Sequence, residues 1–355
     1  MNIYHFISDF KYGGVELAAK SSIQELNYDD NFFLVCLGRV DSKLMNNLSD
    51  EEKNKIIELN LFKLSALKKV SLFMNHLKEN PPNIFIFSLW KASLIGFLLN
   101  LIYKETIFIS FLHSTKFVHF FDKIFTRNAI KNFDYVFVDS TKTKEFALKF
   151  NKKGNIKVIS FLLKAYKGKI KNLNQEKINF LYLGRISDHK RIDKSLDVID
   201  HLLKKKLNVE FNIYGDDDGE LKNITKKIEQ LDLQNNVFIN DAIKHEDLSK
   251  VFSKNQFYLQ LSDFEGFAMS VCEAMQNGLV CCVTPVGEIK NYSKDMSSAI
   301  HFKDNNLEDF VEKIFMVARN NDTFQSISIE GLNKWSNAIL YKDDLKNALN
   351  EIRLK

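Results

Sequence analysis

Proline is nearly absent from the sequence, with 3 in 355 residues, and glycine reaches only 13. Few irregular stretches are expected. The four cysteines, Cys36, Cys272, Cys281 and Cys282, show no CxxC or Cys/His ligand spacing. Neither a disulfide framework nor a structural zinc site is therefore implied, and a reducing cytoplasm is expected. Residues 1–9 hold no cationic stretch leading into an apolar region and a small-residue cleavage site, so no secretory leader is expected. The longest greasy run, 93–103, stops at Lys104, short of the ~20 residues a spanning helix requires.

What is present describes a globular protein. Hydrophobic residues make up 45% and charged residues 27%, too apolar for a disordered chain. At ~100–200 residues per domain the length argues for two domains. The net charge of +5 is unevenly placed: residues 1–180 carry 27 Lys/Arg against 17 Asp/Glu, a balance of +10, and residues 181–355 carry 23 against 28, or −5. Eight lysines fall in 151–180. A solvated linker explains them most simply. Attraction to an anionic membrane face, at ~1 kcal/mol per cation near the surface, is the second explanation, and nucleic acid is disfavoured because no aromatic-and-basic module accompanies the charge.

Short apolar runs rich in β-branched and aromatic residues alternate with longer amphipathic stretches, the pattern of βαβ units around a parallel sheet. Strands are expected at 3–8, 32–37, 84–88, 107–112, 135–139 and 156–161, with helices such as 15–26 and 141–150 between them. Residues 164–175, with four Lys, one Gly and two Asn, interrupt the rhythm and read as a linker. The pattern restarts with strands at 178–183, 209–214, 236–239, 257–261 and 280–284, and helices near 192–206, 221–231, 248–253, 270–276, 307–318 and 323–335. The resulting division is 1–163, a linker at 164–176, 177–335, and a terminal helix at 336–355 expected to pack back on the first domain. Ligands of open α/β sheets bind outside the carboxyl ends of the strands. Two doubly wound halves facing across a cleft would therefore line it with their βα loops.

The most specific stretch is Asp263-Phe264-Glu265-Gly266-Phe267-Ala268-Met269-Ser270, running on to Glu273 and Ala274-Met275, directly after an expected strand. If Glu265 and Glu273 were both helical they would lie ~12 Å apart along the axis and ~80° apart around it. That excludes the carboxylate pair of a retaining glycosidase, at ~5–5.5 Å. Glu265-Gly266 reads as loop, and the amides of Phe267, Ala268, Met269 and Ser270 fall at a helix N-terminus, where a phosphate is favoured. A second constellation, Gly184-Arg185 to Lys190-Arg191, closes a strand and brings two cations to one anion. Gly13-Gly14-Val15-Glu16 follows the first strand beside Tyr12, but it is not GxGxxG, so a dinucleotide fingerprint is poorly supported. His113 ends the expected strand 107–112. Asp216-Asp217-Asp218 contains D-x-D, a metal-holding pattern in another class of transferases, yet it more simply caps the next helix.

The phrase from Glu265 to Glu273 resembles the E-G-F-G-L-[PS]-x-x-E-A-M signature of GT-B-fold retaining glycosyltransferases of family 4, the glycosyl transferases group 1. Gly184 to Arg191 resembles their G-R-[LI]-x-x-x-K-G. Ala268 and Arg191 replace the usual glycines. The G-G-x-E segment and His113 also match the family, in order, so the resemblance spans nearly the whole chain. It implies an α/β GT-B fold of two Rossmann-like domains, with acceptor bound by the first and donor by the second. It further implies that Glu265 lies beside the donor sugar hydroxyls and His113 near the transferred sugar. Gly266 and the amides of Phe267, Ala268, Met269 and Ser270 would hold the diphosphate, Glu273 the ribose, Arg185 and Lys190 the leaving diphosphate, and Gly14 would face the donor phosphates.

The implied reaction is retaining hexosyl transfer from a UDP- or GDP-sugar to a hydroxyl acceptor, in surface-polysaccharide or lipid-linked oligosaccharide synthesis, lipopolysaccharide included. No metal cofactor is expected. Cytoplasmic location with peripheral contact on the cytoplasmic membrane face completes the expectation. A non-catalytic nucleotide-sugar-binding protein and a dinucleotide-dependent oxidoreductase are the competing classes.

Overall fold

The computed structural model describes the chain except residues 11–12, 27–29, 46–47, 62, 64–65, 175, 244–246 and 355 and the side chains of Glu25 and Lys43. Tyr12, Gln175 and Lys355 therefore lie outside the described residues. The chain divides into two compact units, Met1–Leu163 with Ile339–Lys355, and Lys164–Ala338.

The first unit holds seven strands: β1 (Asn2–Ile7), β2 (Asn31–Cys36), β3 (Ile56–Glu58), β4 (Ile84–Ser88), β5 (Ile107–Leu112), β6 (Tyr135–Val138) and β7 (Ile156–Val158). They form one parallel sheet in the order β3-β2-β1-β4-β5-β6-β7. The order reverses between β1 and β4, the topological switch point where such sheets bind ligands. Helices cover both faces, so the strands are near-continuous apolar runs rather than alternating ones: Ile3, Tyr4, Phe6 and Ile7 of β1 and Ile84 to Phe87 of β4 are all buried. Their rings stack across the sheet, Phe6 on Phe87 at 4.9 Å and Tyr4 on Phe33 at 4.8 Å.

Polar side chains set the helix starts. Ser140 accepts from the Thr143 amide at the head of Thr141–Leu148, and His119 Nδ1 from the Asp122 amide at the head of Phe120–Asn132. The C-terminal helix Tyr341–Arg353 belongs to this unit. The Tyr341 amide donates to the Leu162 carbonyl at 2.7 Å, Asp344 accepts from the Ser160 amide, and Tyr341, Leu345 and Leu349 are buried.

The second unit holds β8 (Ile178–Leu183), β9 (Val209–Tyr214), β10 (Val237–Asn240), β11 (Phe257–Gln260), β12 (Val280–Val283) and β13 (Ile300–His301), all parallel, ordered β10-β9-β8-β11-β12-β13. Its switch point lies between β8 and β11. Residues 164–174 form no helix or strand and are tied to this unit. The amides of Tyr166 and Gly168 donate to the Gln276 side chain and carbonyl, and Lys171 donates to the Phe252 and Asn255 carbonyls. No helix among the described residues is long and apolar enough to cross a membrane.

Two strands were absent from the sequence expectation, β3 and β13, at three and two residues. Runs that short carry no period. Expected strand 156–161 ends at Val158: the Ile159 amide still donates to the Val138 carbonyl, and the Ser160 amide then turns to Asp344.

Candidate functional site

The informative loops of the second unit sit at the carboxyl ends of β8, β9 and β11. Gly184 follows β8, and Gly215 follows β9, its α-carbon so close to the Gly184 carbonyl that a Cβ there would collide with it. This contact brings the two loops together. Arg185 Nη1 then reaches Asp218 Oδ2 at 2.7 Å, with both side chains about half exposed. Asp217 accepts from the Gly219 and Leu221 amides, which holds its carboxyl below the usual range and caps Leu221–Gln230. The acidic triplet thus contributes one helix cap and one counter-ion.

A buried polar network lies at the end of β11. Lys190 Nζ donates to Glu265 Oε1 at 2.7 Å, and Gln260 Nε2 donates to the same oxygen at 2.6 Å. Gln260 Oε1 in turn lies 2.7 Å from the Tyr258 hydroxyl and 3.1 Å from Ser270 Oγ. Every donor thus converges on Oε1, and Glu265 Oε2 accepts no hydrogen bond from a described residue. Gly287 secures the Glu265-Gly266 loop from behind. It has φ +57°, a Cβ on it would strike the Glu265 and Gly266 carbonyls, and the Glu288 amide donates to the Gly266 carbonyl at 3.0 Å.

The helix Met269–Gln276 begins immediately after this loop. Its first amides have no intrahelical acceptor, so the N–H groups from Phe267 to Ser270 form a donor cluster at the positive end of the helix. Ala268, the residue before the helix, adopts φ 59°, ψ 63°, and Arg191 adopts φ 50°, ψ 45°. Both sequence departures from glycine therefore occupy left-handed backbone. Arg191 is held there by two bonds to Asp193, at 2.9 and 2.8 Å, and by Asp263. Glu273 lies one turn into the helix. Burial pushes its carboxyl up to about 7, with the Lys164 charge opposing.

In the first unit, the helix Gly14–Leu26 starts at the Gly13-Gly14 turn, and the nearly buried Glu16 folds its carboxylate against Gly13. His113 follows β5 and joins Ser88, the last residue of β4, with Ser88 Oγ 3.0 Å from His113 Nε2. Ser88 also meets His5 Nε2 at 2.8 Å. His113 Nδ1 lies 3.7 Å from Asp139 Oδ2. His119 is a helix cap.

Within the second unit the structure gathers Arg185, Lys190, Glu265 to Ser270 and Glu273 around the ends of neighbouring strands and one helix. Gly14 and His113 lie in the first unit. Sequence reasoning missed Gln260, Tyr258, Gly287, His5 and Ser88. A polar residue closing an otherwise apolar strand was the available signal for Gln260 and Ser88, and a glycine after Pro285-Val286 for Gly287. His5 carried no signal, because its partner is 83 residues away.

Residues 164–333, nearly the whole second unit, match the family model of glycosyl transferases group 1. The chain is similar to the poly(ribitol-phosphate) alpha-N-acetylglucosaminyltransferase of Staphylococcus aureus, 28% identical over 169 residues that cover 47% of this chain and 33% of that one. It is also similar to the GDP-mannose:cellobiosyl-diphosphopolyprenol alpha-mannosyltransferase of Xanthomonas oryzae pv. oryzae, 25% identical over 177 residues, 48% of this chain and 47% of that one. The chain thus spans a third to about half the length of these relatives. Among solved structures it is similar to Anabaena HepE in complex with UDP-glucose, with a TM-score of 0.83, 16% identity and 100% of both chains covered. At that identity the likeness carries the fold, two parallel-sheet Rossmann-like α/β domains of the kind found in GT-B glycosyltransferases.

Proposed function

We propose that this chain is a retaining glycosyltransferase of family 4, of hexosyltransferase type. It moves a sugar from a nucleotide diphosphate to a hydroxyl acceptor in the synthesis of surface polysaccharide or lipid-linked oligosaccharide. The observation that carries the reading is Glu265: Lys190 and Gln260 hold its Oε1, its Oε2 accepts from no donor among the described residues, and it sits beside the amides of Phe267 to Ser270 at a switch point. An open carboxylate oxygen accepts sugar hydroxyls, and the amide cluster accepts a diphosphate. A UDP-sugar donor is supported by the UDP-glucose complex of HepE and a GDP-sugar by the name of the Xanthomonas relative. Both relatives are named for alpha products, which an alpha-configured donor yields with retention.

In this reading the bond from the anomeric carbon to the diphosphate oxygen breaks, and the acceptor oxygen bonds to that carbon on the same face. The leaving phosphate takes the acceptor proton. Negative charge grows on the diphosphate, so Arg185, Lys190 and the helix amides stabilise the transition state more than the ground state. These cations make the reaction metal-independent, and the engagement of Asp217 and Asp218 elsewhere supports this. Glu273 holds the ribose, Gly14 faces the phosphates, and His113 lies near the transferred sugar.

Peripheral membrane contact is favoured by one patch of the first unit. Val118, Phe120 and Phe121 are 83, 70 and 59% exposed beside exposed Lys116 and Lys123, in the segment that follows His113. Apolar side chains flanked by lysines suit an anionic bilayer surface on the cytoplasmic side. Flotation with anionic vesicles, lost in Phe120→Ser with Phe121→Ser, tests it, and equal flotation of the double variant overturns it.

A panel of nucleotide sugars, read by thermal shift and then by transfer with and without Glu265→Ala, tests the main reading, and NMR of the product anomer tests retention. Stabilisation by NAD and by no nucleotide sugar overturns it. Donor binding without transfer to any acceptor leaves the alternative, a non-catalytic nucleotide-sugar-binding protein.

A further inference from the structure

We propose that His5 and Ser88 are positioning residues that fix His113 as its Nδ1–H tautomer, with Nε2 engaged as an acceptor. The ring then turns its N–H toward Asp139, and its Nε2 lone pair, taken by Ser88, is not free to act as a base. The consequence for sugar transfer rests on the transferase reading; the tautomer itself does not.

The geometry is a three-membered chain at the carboxyl ends of β1, β4 and β5. His5 Nε2 lies 2.8 Å from Ser88 Oγ, and Ser88 Oγ lies 3.0 Å from His113 Nε2. A serine hydroxyl has one proton, and a neutral imidazole has one N–H. With the Ser88 hydroxyl donating to one of its two histidine partners, the chain runs in one of two directions. Either His5 Nε2–H donates to Ser88, which donates to His113 Nε2, or every proton is reversed.

The carboxylate at the outer end selects the first direction. At the inner end His5 is buried, burial and the neighbouring His113 lower its pKa to about 3, and its Nδ1 has no hydrogen-bond partner. Reversal would move the His5 proton to Nδ1, which has no acceptor, but His113 Nδ1 is likewise buried without a hydrogen-bond partner, so one buried N–H lacks an acceptor in either direction and the inner end alone does not choose. At the outer end His113 Nδ1 lies 3.7 Å from Asp139 Oδ2. Reversal would turn a lone pair toward that carboxylate, whereas the first direction turns an N–H toward it. Asp139 is itself fixed, accepting from Thr143 Oγ1 at 2.7 Å. Phe111 and Phe161 pack on the His113 ring at 4.4 and 5.2 Å between centroids and resist its rotation.

The protons are observable. In a histidine-labelled sample of the whole chain at pH 8, two-bond ¹⁵N–¹H spectra should show His5 protonated at Nε2 and His113 at Nδ1. In Ser88→Ala and His5→Phe the His113 signals should shift toward a mixture of tautomers, and His5→Gln, whose amide nitrogen retains a donor at the Nε2 position, should restore the Nδ1–H form. Transfer should follow: kcat down roughly tenfold in Ser88→Ala and His5→Phe, as for the loss of one hydrogen bond, with the donor KM little changed and kcat recovered in His5→Gln. A wild-type His113 protonated at Nε2, or an unchanged tautomer in Ser88→Ala, overturns the proposal. If His5→Phe fails to fold, Ser88→Ala and His5→Gln decide it. The predicted tautomers with no transfer from any nucleotide sugar would leave this inference standing and the transferase reading failed.

Discussion

Lys190 Nζ and Glu265 Oε1 lie 2.7 Å apart, with the two side chains only 16 and 9% exposed. One comes from the turn after β8 and the other from the loop after β11, so neighbouring strands create the pair. Removing one partner leaves the other as a largely desolvated charge. Lys190→Ala should therefore cost about 2–3 kcal/mol, below the usual cost for a fully buried pair, and remove transfer as well. Glu265→Gln keeps its shape and should lose less stability but nearly all turnover. Chemical denaturation checks the first point: a Lys190→Ala midpoint equal to wild type means that the pair does not form in solution.

Arg185 is paired differently. Its bond to Asp218 is half exposed on both sides, and such pairs contribute about 0–1 kcal/mol. Asp218 is then a weak competitor for the cation assigned to the diphosphate. Asp218→Asn should leave stability within about 0.5 kcal/mol and tighten nucleoside diphosphate binding a few-fold at low salt, with the gain fading as salt rises. Titration calorimetry of UDP and GDP at two ionic strengths reads this. A weakened affinity in Asp218→Asn would mean that Asp218 helps to hold the ligand.

Ala268 and Arg191 share a left-handed backbone but differ in what their side chains do. A non-glycine residue there is disfavoured by about 1 kcal/mol. Ala268→Gly removes a methyl group and relieves the backbone, so it should stabilise the protein by about 0.5–1 kcal/mol. Arg191→Gly gains the same relief but loses both bonds to Asp193 and the contact with Asp263, so it should be neutral or destabilising. A rise in melting temperature for Ala268→Gly and none, or a fall, for Arg191→Gly is the expected result. Equal gains would show that the Arg191 contacts contribute nothing.

These two positions also show how far the sequence could be read. The strand runs and the Glu265 and Arg185 motifs were legible because each is local: a fully buried parallel strand is a continuous apolar word, and a βα loop is contiguous in the chain. Ala268 and Arg191 were visible as departures, but their positive φ was not. The roles of Gln260, Gly287 and His5 were missed for a common reason. Each matters through a partner in a different strand–loop unit, the Glu265 carboxylate for Gln260, the Glu265 and Gly266 carbonyls for Gly287 and Ser88 for His5. Strand order sets such meetings. β3 and β13 were missed because two or three residues cannot display a period.

Glu273 yields a pH signature in stability and in binding. Burial raises its carboxyl from 4.5 to about 7. Between those values the folded chain holds a proton that the unfolded chain has lost, so stability falls as pH rises through about 4.5 to 7, and the penalty is complete above 7. It reaches at most about 3 kcal/mol by linkage. Glu273→Gln carries no such charge and should be more stable than wild type at pH 8, with the difference shrinking toward pH 5. Binding should run the other way. On the proposed ribose contact the ionised carboxylate is the accepting form, so nucleotide affinity in the wild type should rise as pH increases from 6 to 8, while Glu273→Gln stays flat. Denaturation and calorimetry at pH 5, 6, 7 and 8 measure both trends on the same samples. If wild type and variant show parallel stability profiles, Glu273 titrates as an ordinary carboxylate and its assignment to the ribose loses its physical basis.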